Sequence, residues 1–315
     1  MALAVTHDRS RRDMATVLVS GARPATGPTE PTAEVGALPN AGAPATPSVV
    51  SMRNLEKTFK SRQGSDYAAL RAVDLEIARG EFFCLLGPSG CGKTTVLNLV
   101  AGFERPTGGS VELDGSPIAG PSQERGVVFQ GDDSLFNWLT ALQNVEFGMR
   151  MCGLPKTERR QRARQYLAML GLAGQERKFP TELSGGMKQR IQIARVLANE
   201  PKILLMDEPF GALDAQTRTL MQEQLSRIWR RTQTSVLFIT HDIEEAVMLG
   251  TRIGVMTAGP AATIKGIVSV DLAGERRRTD AAFMRIYVQV HDMIREEVLK
   301  TVPATPADDA SEPMS

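Results

Sequence analysis

The sequence contains few cysteines and few aromatic residues. Aromatic side chains make up 5% of the 315 residues, and the three cysteines are Cys84, Cys91 and Cys152. An odd number of widely spaced cysteines fits neither a disulfide framework nor a zinc cluster. We therefore expect reduced thiols in a cytosolic protein, and not a small secreted domain stabilised by disulfides.

The sequence also lacks a charge imbalance and a long apolar run. It has 37 basic and 36 acidic residues, a formal net charge of +1, so no overall field attracts it to nucleic acid or to anionic lipid. No uncharged apolar stretch approaches the roughly 20 residues that span a bilayer. The early charges between His7 and Asp13 argue against a signal peptide. We expect no nucleic-acid partner, and any role at a membrane must depend on another chain.

The composition divides the chain into three parts. Residues 1–48 are rich in Ala, Pro, Gly and Thr without a helical or strand period, which predicts a disordered arm. Residues 301–315, with Pro303, Pro306 and Pro313, predict a disordered tail. The remaining part, 49–300, is predicted to form one domain, because a chain that is 42% hydrophobic can bury a sizeable core.

Within this domain, short apolar runs alternate with amphipathic segments. Residues 82–86, 127–129, 203–206 and 236–239 are candidate strands, and residues 159–170 and 220–231 have helical spacing. The strand candidates are continuously apolar, as expected for strands buried on both faces of a parallel sheet. The pattern predicts an α/β fold.

A phosphate-binding loop follows the first candidate strand. It reads Gly87, Pro88, Ser89, Gly90, Cys91, Gly92, Lys93 and Thr94, and the helix predicted after it includes Thr95. Glycines let backbone N–H groups turn toward phosphate oxygens, and a helix N-terminus adds partial positive charge. Lys93 would reach the β- and γ-phosphates, and the Thr94 hydroxyl would bind Mg²⁺. Because strand, loop and helix agree, a chance glycine-rich turn is disfavoured.

Two carboxylates end the third candidate strand. Asp207 and Glu208 follow an apolar run, at the end of a parallel strand where ligands collect. Asp207 would hold Mg²⁺, directly or through water, and Glu208 would act as a general base on water, a role worth about 10²–10⁴ in rate. Alone, such a pair would more often cap a helix. The upstream phosphate loop favours the catalytic interpretation.

A second phosphate-binding pattern resembles the signature of ABC ATPases. It reads Leu183-Ser184-Gly185-Gly186-Met187-Lys188-Gln189-Arg190, a hydroxyl and two glycines at a predicted helix start. Met187 stands where the wider family more often has Gln. The resemblance implies that two copies pack head to tail, with ATP between the phosphate loop of one and Ser184, Gly185 and Gly186 of the other.

The same resemblance assigns four more residues. Phe59 would stack on adenine, Gln130 would sense Mg²⁺ and the attacking water, Asp214 would cross the dimer interface, and His241 would contact the γ-phosphate. Residues 207–218 and 138–141 are similar to the ATPases of nitrate, sulfonate and taurine importers. The segment from 130 to about 147, with Leu135, Phe136, Trp138 and Leu139, is predicted to receive a permease helix; the alternative is that Trp138 is core.

The resemblance implies a P-loop NTPase core with a mostly parallel sheet, an N-terminal antiparallel β subdomain, and a helical signature subdomain inserted at about 132–180. The expected function is ATP hydrolysis that powers an importer. Expected ligands are ATP and Mg²⁺. Expected partners are a second copy, permease subunits and, indirectly, a substrate-binding protein, at the cytoplasmic face of the inner membrane.

There are two alternatives to an importer ATPase. A soluble ABC ATPase of the DNA-repair or translation class would carry long coiled coils or two ATPase domains, and neither pattern is visible in the sequence. A P-loop kinase for a small molecule would explain Lys93 and Asp207. It would leave Ser184 and His241 without a role.

Overall fold

The computed structural model describes residues 47–60, 64–129, 134–211, 213–272, 274 and 276–301. All of them belong to one unit, residues 43–315. Most of the predicted arm, all but the first residue of the predicted tail, and Gln130 lie outside the described residues. The boundaries predicted for the arm, the domain and the tail stay predictions.

A four-stranded antiparallel sheet forms the N-terminal part of the described chain. Its strands are β1 (Ser48–Lys60), β2 (Asp66–Ala78), β4 (Gly108–Leu113) and β5 (Ser116–Pro117), in the order β2-β1-β4-β5. The register pairs Phe59 with Tyr67 near one end of the β1/β2 ladder. The predicted antiparallel β subdomain is confirmed.

A six-stranded sheet forms the centre. Its strands are β3 (Phe82–Leu86), β6 (Arg125–Val128), β7 (Ile203–Asp207), β8 (Ser235–Ile239), β9 (Arg252–Met256) and β10 (Ile264–Ser269). Their order in the sheet is β10-β9-β3-β8-β7-β6. All neighbouring pairs are parallel except β10 with β9. The predicted mostly parallel sheet is confirmed. Phe129, predicted to end a strand, lies outside β6 and is 45% exposed.

Seven α-helices and one short 3-10 turn are present in the described ranges. They are α1 (Lys93–Ala101), α2 (Ala141–Met151), α3 (Lys156–Met169), the turn Pro180–Glu182, α4 (Gly185–Leu197), α5 (Ala215–Thr232), α6 (Ile243–Leu249) and α7 (Ala281–Thr301). No helix in the described part of the chain is long and apolar enough to cross a bilayer. Polar side chains define the helix starts: Thr140, Ser184, Asp214 and Asp242 accept hydrogen bonds from the first turns of α2, α4, α5 and α6.

Hydrophobic cores cover both faces of the central sheet. Phe82, Cys84 and Leu86 of β3 belong to the core that includes residues of α2, α4, α5 and α6. Phe83 and Leu85 belong to the core shared with α1 and the antiparallel sheet. Every residue of β3 is therefore buried, which explains why the candidate strands are continuously apolar.

The helix after the phosphate loop ends at a glycine with no space for a side chain. Gly102 caps α1 with a φ of 79°, and a Cβ atom there would lie 2.4 Å from the Gly120 carbonyl oxygen. Gly153 has the same φ of 79°, but nothing lies within 4 Å of its Cβ position. The two glycines share backbone strain and differ in steric contact.

We therefore expect Gly102→Ala to lower the free energy of unfolding more than Gly153→Ala. The second change carries only the left-handed backbone penalty, roughly 1–2 kcal/mol, whereas the first adds a collision with a carbonyl group. Urea denaturation of both variants measures the difference. Equal losses in the free energy of unfolding would show that the backbone near Gly120 moves away from the new side chain without further destabilisation.

Candidate functional site

The phosphate loop lies between β3 and α1 in a left-handed turn. Gly92, the N-cap of α1, has a φ of 94°, and a Cβ atom there would lie 2.8 Å from Leu70 Cδ2. A side chain at this position would therefore be both strained and in collision. The glycine lets the loop turn directly into α1, whose first backbone N–H groups can bind an anion.

Lys93 places its ammonium group inside this loop. Its Nζ donates to the carbonyl oxygens of Gly87, at 2.7 Å, and Pro88, at 3.0 Å. The residue is 8% exposed. The cation is thus held beside the backbone that would surround phosphate oxygens, as the sequence pattern predicts.

Thr94 and Asp207 join the phosphate loop to the end of β7. Thr94 Oγ1 donates to Asp207 Oδ2 at 2.9 Å. Burial raises the pKa of the Asp207 carboxyl, and the hydrogen bond from Thr94 opposes this shift. A hydroxyl and a carboxylate are hard oxygen donors of the kind that Mg²⁺ binds. The pair fits the predicted Mg²⁺ site, for which these residues are the candidate ligands.

Glu208 and His241 meet at the same edge of the sheet. Glu208 has a positive φ of 43°, and its N–H donates to the Ile239 carbonyl oxygen at 2.9 Å. Its Oε2 lies 3.2 Å from His241 Nδ1. The strained backbone of Glu208 lies immediately after β7, and His241 is the second residue after β8. The α5 helix is capped by Asp214, so helix capping does not account for Asp207 and Glu208.

Thr240, the residue before His241, belongs to a buried polar network that the sequence motifs did not predict. Thr240 Oγ1 donates to Glu245 Oε2 at 2.7 Å, and the Asp242 N–H donates to Thr240 Oγ1 at 3.0 Å. Gln222 Nε2 donates to Glu245 Oε1 at 3.2 Å. Burial raises the pKa of Glu245. Asp242, an N-cap residue followed by two glutamates, was the available sequence signal for this helix start.

The signature residues form a second surface. Ser184 Oγ accepts from the Met187 N–H at 3.4 Å, and a Cβ atom at Gly186 would lie 2.8 Å from Thr217 Cγ2. Asp214 Oδ1 accepts from the N–H groups of Gln216 and Thr217. A cavity of about 300 Å³ here is lined by residues from 184–190 and 213–224. The signature and the Asp214 loop therefore pack together, whereas the phosphate loop contacts β2 and Asp207.

Phe59 is half-buried on β1, beside a cation and a second aromatic residue. Lys57 Nζ lies 4.8 Å from the Phe59 ring centroid, and Phe59 pairs across the sheet with Tyr67. Tyr67 Oη donates to the Gly90 carbonyl oxygen at 3.5 Å. Tyr67 thus brings this end of the antiparallel sheet to the phosphate loop. Its role was missed, because the contact joins residues far apart in sequence.

Comparison with known proteins supports the same class. Residues 70–211 match the ABC transporter family. The chain is 50% identical over 214 residues to the taurine import ATP-binding protein of Yersinia pestis, covering 68% of this chain and 83% of that protein. It is 47% identical over 226 residues to the nitrate import ATP-binding protein of Synechocystis, covering 72% and 84%. A solved dimeric structure of a bacterial ABC transporter cassette matches with a TM-score of 0.62 and 33% identity, covering 71% of this chain and 99% of that one.

The chain therefore belongs to the family of ABC transporter ATP-binding proteins. It is an ATP-binding and ATP-hydrolysing subunit, and the resemblance inferred from its motifs is confirmed. The small-molecule kinase alternative is wrong. The roles of individual site residues stay predictions that the geometry supports.

We expect Lys93→Met to reduce ATP hydrolysis by about 10²-fold or more, because a cation aimed at the phosphate loop is lost while the side-chain volume is kept. Lys202→Met is the control, since Lys202 pairs with Asp114 and Glu124. Phosphate release by the purified variants is the measurement. Hydrolysis by Lys93→Met at the control's rate would contradict the assigned phosphate site.

Proposed function

We propose that this chain powers a membrane importer of a small solute such as nitrate, taurine or another sulfonate. It would act peripherally at the cytoplasmic face of the inner membrane, on permease subunits served by a substrate-binding protein. The proposal is supported by one observation: the Thr94–Asp207 and Glu208–His241 contacts bring the candidate hydrolytic residues together at one edge of the sheet. The relatives named above are import proteins, which gives the soluble alternative no support.

The site suggests how hydrolysis proceeds. Backbone N–H groups of the phosphate loop and Lys93 hold the β- and γ-phosphates of ATP. Thr94 and Asp207 would hold Mg²⁺, which would supply positive charge to neutralise the phosphate oxygens. Glu208 accepts a proton from the attacking water. His241, positioned by its contact with Glu208, is placed to donate a hydrogen bond to the γ-phosphate.

A second copy of the chain would complete each site. The signature surface is lined by residues 184–190 and 213–224, away from the phosphate-loop contacts described above. A helix start that bears a hydroxyl and two glycines suits a phosphate bound to another chain. Head-to-tail pairing would place Ser184 of one copy against ATP on Lys93 of the other. The solved cassette that this chain resembles is dimeric.

We expect Glu208→Gln to retain ATP, to lose about 10²–10⁴ in turnover, and to accumulate as a dimer. Glutamine keeps the shape of the side chain but cannot accept the proton, so ATP remains and stabilises the state that binds it. Light scattering with Mg-ATP measures the dimer. Glu223→Gln on the exposed side of α5 is the control and should stay at the wild-type rate.

Two results would contradict this mechanism. Wild-type turnover by Glu208→Gln would remove the residue from the chemistry. The shared site would be contradicted if Glu208→Gln binds ATP but its copies do not pair, either in the isolated subunit or in the complex with the permease.

The surface before α2 is the candidate permease contact. Trp138 is 73% exposed, so the alternative that it belongs to the core is wrong. Its ring centroid lies 5.2 Å from that of Phe136. The buried Asn144 amide holds this segment through the N–H and carbonyl groups of Phe136. Leu135, which was expected on the surface, is 4% exposed and packs in the core instead.

A basic groove adjoins this surface and indicates what the permease segment carries. The groove has a volume of about 920 Å³. Its charged lining is Glu146, Arg150, Lys156, Arg159, Arg160, Arg164, Glu176 and Arg177. Glu146 is already paired with Arg159, at 3.3 Å. Positive charge therefore exceeds negative charge, and a permease segment with apolar residues and carboxylates would be complementary.

We expect Arg150→Glu and Trp138→Ala to weaken association with the permease and to lower transport, while hydrolysis by the isolated subunit stays within twofold of wild type. Arg227→Glu on α5, where Arg227 is 79% exposed, makes the same charge change elsewhere. Co-purification with the permease and uptake into vesicles are the measurements. Equal effects of Arg150→Glu and Arg227→Glu would place the docking surface elsewhere.

A further inference from the structure

The phosphate loop rests against a second loop, residues 257–263, which we call the backing loop. A Cβ atom at Gly87 would lie 3.0 Å from the Met256 Cβ, immediately before the backing loop. A Cβ atom at Gly259 would lie 3.3 Å from the Gly90 carbonyl oxygen. These contacts leave no room between the two loops. The position of the backing loop therefore limits the position of the phosphate-loop backbone.

The backing loop is also tied to β2. The Ala261 N–H donates to the Ala68 carbonyl oxygen at 2.7 Å, and the Ala262 N–H donates to that of Ala69 at 3.1 Å. The Ala69 carbonyl oxygen lies 3.3 Å from the Cβ position of Gly92. The phosphate loop is thus enclosed by β2 at one end and by the backing loop at the other.

A buried carboxylate on α7 holds the backing loop from behind. Glu297 Oε2 accepts from the Ala258 N–H at 3.1 Å, and its side chain is 2% exposed. Its Oε1 lies 2.9 Å from Lys265 Nζ and 2.7 Å from Lys300 Nζ. Burial would raise the pKa of Glu297, but hydrogen bonds from both lysines and from Ala258 outweigh it and bring the pKa to about 2. The carboxylate is therefore a charged, permanent acceptor at neutral pH.

We propose that Glu297 is a positioning residue for ATP binding. Through the Ala258 N–H it keeps the backing loop against the phosphate loop, so that the phosphate-binding N–H groups are arranged before ATP arrives. A preorganised loop loses less conformational entropy on binding. Removal of Glu297 leaves the N–H of the half-buried Ala258 without its acceptor and frees the backing loop to move. The inference concerns ATP binding and holds whichever solute the importer carries.

The test compares steady-state kinetics and ATP affinity of full-length variants. Glu297→Ala should raise KM for ATP and the Kd for ATP, measured calorimetrically, on the order of fivefold, the scale of one net hydrogen bond. Its kcat at saturating ATP should stay within twofold, because Glu297 touches neither Glu208 nor Asp207. Glu297→Gln keeps an oxygen acceptor for the Ala258 N–H and should restore most of the affinity.

Two matched controls separate positioning from general stability. Glu296 pairs with the same Lys265, at 2.6 Å, from an exposed position on α7, so Glu296→Gln should leave KM unchanged. Val290 is a fully buried residue of α7, so Val290→Ala should lower the melting temperature without changing KM. If Glu297→Ala does not fold, Glu297→Asp retains the charge but draws the carboxylate back from Ala258, and should weaken ATP binding equally.

The proposal is overturned by either of two results. One is wild-type KM in Glu297→Ala, or in Glu297→Asp where that variant replaces it. The other is a rise in KM in a control variant that equals the rise in Glu297→Ala. The control variant is either Glu296→Gln, or Val290→Ala if its melting temperature equals that of Glu297→Ala.

Discussion

The parallel pairing of β3 with β8 and of β8 with β7 brings the candidate catalytic residues of this protein to one edge of the sheet. Parallel strands end at the same edge of a sheet, and here the phosphate loop, His241 and the Asp207–Glu208 pair leave three neighbouring strands in turn. The Thr94–Asp207 hydrogen bond and the Glu208–His241 contact exist because of this alignment. A change in register would separate all four side chains.

In the proposed dimer, each chain contributes half of two sites. The sheet edge supplies a lysine, candidate Mg²⁺ ligands and a candidate base, while the start of α4 supplies a candidate second phosphate cradle among residues 184–190 and 213–224. The methionine at position 187 does not disturb that cradle. The Met187 backbone N–H donates a hydrogen bond to Ser184 Oγ, and its side chain packs on the core. The arrangement favours hydrolysis coupled to association of two copies.

Much of this organisation could be predicted from sequence, because its signals are local. A continuously apolar run predicts a buried strand, and glycines beside a lysine predict a phosphate loop. Contacts between distant segments gave no such signal. Glu297 lies 39 residues from Ala258 in the sequence. A glutamate near the end of an amphipathic helix is predicted from sequence to be solvent-exposed, so its contact with Ala258 could not be foreseen. Leu135 and Trp138 show the same limit, since neighbouring apolar residues differ in burial only through the fold around Asn144.

The most direct test of the account is a proximity measurement between the two halves of one site. Two variants are prepared in a common background that carries Glu208→Gln and Cys152→Ser. One variant adds Ser89→Cys and the other adds Ser184→Cys. The two are mixed and treated with a short bifunctional thiol reagent. We expect a covalent dimer to form in the mixture, to require ATP, and to be absent from either variant alone. An ATP-dependent link within a single chain that carries both cysteines, or no link in the mixture although ATP is bound, would contradict it.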